Sequence, residues 1–141
     1  MNNKGKTFNY LSTFSLVLLW VYAAISKLID FDHFKHEMHI QMLFPIVQIL
    51  LIYFLPITEL ITALLLVFEE THLKGLYTSL VLMTLFTGYI ILVLMHVFRH
   101  VPCSCGGILE HMSWFVHLFF NLFFLALILT TIFIFKRKEL R

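Results

Sequence analysis

Four stretches of the chain are apolar almost without interruption, and short polar segments separate them. They run over about Phe8–Ile29, Ile46–Phe68, Leu76–Phe98 and Trp114–Phe135. Each is long enough to cross the hydrocarbon of a bilayer as a helix, which takes about 20 residues. Backbone groups in lipid must be paired within their own segment, so helices are expected for all four. A water-soluble four-helix bundle would need a polar face on each helix. These segments have none, so the pattern predicts an all-α integral membrane protein, a bundle of four transmembrane helices.

Between the first two spans the pattern changes. Phe31-Asp32-His33-Phe34-Lys35-His36-Glu37-Met38-His39-Ile40 mixes polar and apolar positions at near-helical spacing. It reads as a short helix lying on the outer interface. His33, His36 and His39 repeat every three residues and share a face. Imidazole ligates metals, but nothing nearby completes a site, and a wet interfacial face accounts for them.

Composition agrees with the pattern. Of 141 residues, 60% are hydrophobic and 13% charged, and the mean hydropathy is +0.92. Soluble domains carry about 25% charged residues, so lipid must solvate most side chains. A single domain spanning residues 1–141 is expected at this length. The net charge of +2 is small and scattered, which argues against nucleic acid as a partner. Lys4 and Lys6 precede the first span as they would a signal peptide. Its apolar run exceeds the 7–15 residues of a signal core, however, and Lys27 and Asp30 follow in place of a cleavage site. The span is expected to be retained.

Basic residues in short loops set orientation. With four spans, one side collects both termini and Lys4, Lys6, Lys74, Lys136, Arg137, Lys138 and Arg141, which is seven. The other collects Lys27, Lys35 and Arg99, which is three. The expectation is a multi-pass protein of a bacterial inner membrane with cytoplasmic termini. The loops 30–44 and 99–113 then face the periplasm.

Several polar residues lie where lipid would make them costly. Glu59 sits mid-span after Pro56, and burying an acid there costs about 2.5–3.5 kcal/mol. It reads either as a proton- or quinone-facing group or as an interhelical hydrogen bond that fixes packing. Lys27 ends the first span, where snorkelling explains it; pairing with an acid is the sharper alternative. Glu110, Trp114, His117 and Asn121 are spaced four, three and four apart and stack on one helical face. His96 ends the third span at the same level. An ionisable cluster is therefore expected beneath the second outward loop.

That loop holds the chain's two cysteines, in Arg99-His100-Val101-Pro102-Cys103-Ser104-Cys105-Gly106-Gly107. Residues two apart in an extended chain are about 7 Å apart at Cα, so a bridge between them demands a tight turn and stores strain. Strain makes a disulfide more oxidising, and Arg99 and His100 favour a thiolate. A redox-active dithiol, a Cu(I) or Zn site and two unpaired thiols all remain open. A zinc site lacks a fourth ligand.

Three motifs together resemble the MauE branch of the DoxX-like membrane proteins. They are Lys27-Leu28-Ile29-Asp30-Phe31, Pro56-Ile57-Thr58-Glu59 and Cys103-Ser104-Cys105-Gly106. The segment 107–114, with His117 and Asn121, is similar to the small variants common in Bacteroidetes. Ser104 and Gly107 depart from the usual pattern, Gly107 replacing an aromatic. The resemblance implies a redox accessory for methylamine utilisation, in which MauE supports disulfide formation in an exported enzyme. Cys103 and Cys105 would then be the reacting residues, supported by Glu59, His96, Glu110, His117, Asn121 and Lys27. The protein would be a thiol-disulfide oxidoreductase or an accessory of one. Its partner would be an exported thiol-containing protein or another membrane redox protein, with a membrane quinone as a candidate electron acceptor. The alternatives are a non-enzymatic subunit of a larger membrane or secretion complex, and a copper-handling membrane protein.

Overall fold

The computed structural model describes residues 3–41, 43–97 and 112–140, with backbone only at 138 and 139. Five helices follow in order: α1 (Asn3–Ile29), α2 (Phe31–Ile40), α3 (Pro45–Val67), α4 (His72–Leu94) and α5 (Trp114–Glu139). There is no strand among the described residues. α1, α3, α4 and α5 are each long and apolar enough to cross a membrane, so the protein is multi-pass. Around the bundle α1 packs on α3, α3 on α4, α4 on α5 and α5 back on α1. Phe119, Phe123, Leu85 and Phe133 are exposed, as expected of surfaces that lipid solvates.

The polar segment between the first two spans forms the expected short helix. Asp30 caps α2, its side chain accepting from the His33 amide at 3.2 Å, which satisfies one of the unpaired donors of the first turn. Phe34 and Met38 are buried against Ile52 of α3. Gln48 secures the link that follows. Its Nε2 donates to the carbonyls of Gln41 at 2.7 Å and Leu43 at 3.1 Å, and His39 Nδ1 lies 3.3 Å from its Oε1.

The third span differs from its sequence expectation at both ends. It starts at His72 rather than Leu76, and its helix ends at Leu94 rather than at Phe98, which lies outside the described residues. The early stop is a backbone event. His96 adopts φ 56°, while its amide donates to Val93 O and that of Val97 to Leu92 O. This is a Schellman close, a six-to-one and a five-to-two bond around a left-handed residue. Apolarity continues past Leu94 but the helix does not, because hydropathy carries no information about φ.

At the end where α3 turns into α4, the two helices nearly touch. A Cβ placed on Gly75 would lie 2.8 Å from Leu66 N and 2.9 Å from the Leu65 carbonyl carbon. Small residues allow such approach and the dispersion contacts that come with it. His72 ties the same end together. Its Nδ1 donates to Leu66 O at 3.0 Å, leaving Nε2 to accept from the Thr13 hydroxyl at 3.5 Å. Its ring packs on Phe135 with centroids 5.5 Å apart. Deeper in, Leu16, Leu66, Leu76 and Ile128 are fully buried. Trp20 Nε1 donates to Ser79 Oγ at 2.9 Å, joining α1 to α4.

Candidate functional site

Toward the α2 end the interior becomes polar. Lys27 in the last turn of α1 and Glu59 in mid α3 are 3% and 0% exposed. Lys27 Nζ donates to Glu59 Oε1 at 2.9 Å and Oε2 at 3.2 Å. Its third proton goes to Ala23 O at 3.0 Å. Every ammonium proton therefore has an acceptor. The ammonium also lies 6.0 Å from the centre of the Phe34 ring, so α2 roofs the pair. This geometry corrects the snorkelling expectation for Lys27: the side chain turns inward because Glu59 offers it a carboxylate that lipid would otherwise leave unpaired.

α3 is adapted locally around Glu59. Pro56 has no N–H, so the carbonyl of Ile52 loses its usual helix donor. The Thr58 and Thr62 hydroxyls turn back on the helix, donating to Leu55 O at 2.8 Å and Thr58 O at 2.7 Å. Neither hydroxyl has its proton left for Glu59.

α5 supplies the facing wall. It begins under Ser113, whose Oγ accepts from the Val116 amide at 3.3 Å, an N-cap contact. From there Trp114, His117 and Asn121 descend about 10 Å along one face. Trp114 and His117 stack with ring centroids 6.5 Å apart and planes 17° apart. His117 and Asn121 are 3% and 4% exposed.

Lys27, Glu59, His117 and Asn121 all border one cavity of ≈ 470 Å³. Its remaining lining is mostly apolar and aromatic, including Trp20, Phe86 and Phe120. Of the residues expected at the site, the structure brings these four together. His96 stays exposed at the end of α4, outside the cavity lining. Cys103, Cys105 and Glu110 lie outside the described residues, as do Arg99 and His100. Gln41 and Tyr89 also line the cavity and went unnoticed in the sequence. The signal for Tyr89 was weak, since a tyrosine near a span end is expected as an interface anchor.

The three histidines of α2 are all exposed. His33 Nε2 lies 3.9 Å from Glu37, and His39 is committed to Gln48. Among the described residues no three His, Cys, Asp or Glu side chains are grouped to hold a metal ion. Lys35, on the water side of α2, is raised above its ordinary pKa, chiefly by its hydrogen bond to Asp32.

The arrangement balances its charges. One cation and one anion neutralise each other in the bundle interior, next to an amide, an imidazole and an apolar chamber. Such a chamber suits a neutral molecule better than an ion.

A family model described as "Methylamine utilisation protein MauE" matches residues 5–134 of the chain. No curated protein and no solved structure matches it.

Proposed function

The chain belongs to the MauE family of methylamine utilisation proteins, and from that premise we propose that it serves as a membrane redox accessory for exported proteins. In this reading the termini are cytoplasmic and Cys103 and Cys105 face the periplasm, as the seven-to-three division of basic residues favours. A thiolate of an exported partner attacks the Cys103–Cys105 disulfide to form a mixed disulfide, which the partner's second thiol then resolves. The partner is oxidised to its disulfide, while Cys103 and Cys105 are left as a dithiol. Restoring their disulfide sends two electrons and two protons to a membrane quinone, which becomes a quinol, or to another membrane redox protein.

The observation that carries the reading is the buried Lys27–Glu59 pair beside a cavity. Replacing a buried ion pair with well-packed apolar residues is often neutral or stabilising by about 1–4 kcal/mol. A bundle that needed only to pack would gain nothing by keeping it. Ionisable groups held inside a membrane protein mark functional sites by default.

The test is the double variant Cys103→Ser with Cys105→Ser. It should insert normally and unfold at an unchanged temperature, since four packed spans do not need a bridge across one residue. Thiol trapping of exported proteins should then show reduced cysteines where the wild-type strain shows disulfides. Fully oxidised partners in the variant strain would leave a structural subunit of a larger complex as the better account.

A further inference from the structure

We propose that the cavity beside the ion pair binds a neutral, ring-bearing, lipid-soluble molecule with a carbonyl or hydroxyl head, of the quinone and quinol type, entering sideways between α3 and α4. The volume of ≈ 470 Å³ falls within the range of small-molecule sites, about 300–1,000 Å³. Phe54 of α3 and Leu85 of α4 line it, yet are 58% and 65% exposed on the lipid-facing surface. Those two side chains mark a mouth that opens to the bilayer. A ligand dissolved in lipid reaches the chamber there without crossing water.

The head group is specified by what the chamber leaves unpaired. Asn121 is 4% exposed, borders the cavity, and its side-chain amide makes no hydrogen bond among the described residues. An amide that borders an apolar chamber is stabilised by a ligand group that pairs with it. Its Nδ2 donates to a carbonyl and its Oδ1 accepts from a hydroxyl, so one residue serves both the oxidised and the reduced form of such a ring. An acyl chain would fill the chamber but leave Asn121 unsatisfied. An anionic head finds no unpaired lysine or arginine among the described residues that line the cavity, because all three protons of Lys27 are taken by Glu59 and Ala23. The aromatic walls, Trp20, Phe86, Trp114 and Phe120, suit a flat ring.

The ligand would be the electron acceptor in the redox reading above, but its binding can be measured without that reading. Trp20 and Trp114 are the chain's two tryptophans and both line the cavity, so intrinsic fluorescence reports occupancy. The experiment uses purified full-length protein carrying Cys103→Ser and Cys105→Ser, titrated with a short-tailed naphthoquinone. Saturable quenching is expected, weakened about tenfold by Asn121→Leu, the loss of one hydrogen bond. Thr58→Phe, which fills the chamber from α3, should weaken it at least as much, which guards against a folding defect peculiar to either variant. Geraniol, an isoprenoid tail without a ring, should not compete. Quenching that rises linearly, or is indifferent to both substitutions, would overturn the proposal by showing simple partitioning into the micelle. Equal competition by geraniol, whose hydroxyl can also reach Asn121, would overturn it by showing that the chamber does not select a ring.

Discussion

Where α3 turns into α4, the backbones are close enough that a single added methyl at Gly75 would meet Leu66. Toward the α2 end, the same two helices share the walls of a cavity with a buried lysine, glutamate, histidine and asparagine. The first end is held as lipid-embedded helices are usually held, by small residues, dispersion contacts and a few interhelical hydrogen bonds. The second keeps costly groups that closer apolar packing could have replaced. The contrast separates the half that assembles the bundle from the half to which the proposed function assigns work, and each half can be perturbed alone.

The largest effect is expected at the ion pair. Glu59→Leu leaves the Lys27 ammonium buried without its counter-ion, and breaking a buried pair costs about 3–5 kcal/mol. Glu59→Gln should be milder because it still accepts a hydrogen bond. Combining Glu59→Leu with Lys27→Met should restore most of the lost stability, yet not the activity. Unfolding in mixed micelles measures the first part and the disulfide state of exported proteins the second. Recovery of both would reduce the pair to packing and erase the contrast between the halves.

At the tight end, Gly75→Ala should cost about 1–3 kcal/mol, the usual penalty for overpacking. Gly88→Ala is the matched control. Nothing lies within 4 Å of its added Cβ, and alanine is favoured in a helix by up to about 1 kcal/mol. Opposite signs for two identical substitutions on one helix would locate the close approach at Gly75. Equal signs would deny it.

A smaller effect belongs to the bond between Trp20 and Ser79. A double-mutant cycle with Trp20→Phe and Ser79→Ala should give a coupling of about 0.6 kcal/mol, typical of hydrogen bonds between membrane helices. A coupling near zero would mean that the middle of the bundle is held by shape alone.

The assembling half was largely legible in the sequence and the polar half was not. Four spans and the short helix after the first follow from hydropathy and from the alternation around Phe34 and Met38, because lipid imposes a compositional signature. The shared face of Trp114, His117 and Asn121 follows from helical spacing. The partner of Glu59 does not, because Lys27 lies 32 residues away and no periodicity relates two helices to each other. A better guide was available: a mid-span acid needs a base, and Lys27 is the lysine or arginine nearest the core of any expected span. The end of α4 at Leu94 was illegible for another reason, since it depends on the left-handed turn at His96. Gln48 could have been found as the one amide in the apolar run that opens α3. Its bonds to Gln41 and Leu43 could not.

Under the proposed function Cys103 and Cys105 form a reversible, oxidising pair rather than a structural bridge. Equilibrating the purified protein in graded thiol–disulfide buffers, then alkylating and counting free thiols, gives the potential of that pair directly. A single two-electron transition is expected above about −300 mV, the level below which structural disulfides of exported proteins usually sit. A potential well below that level, or cysteines that never bridge at any buffer ratio, would contradict it.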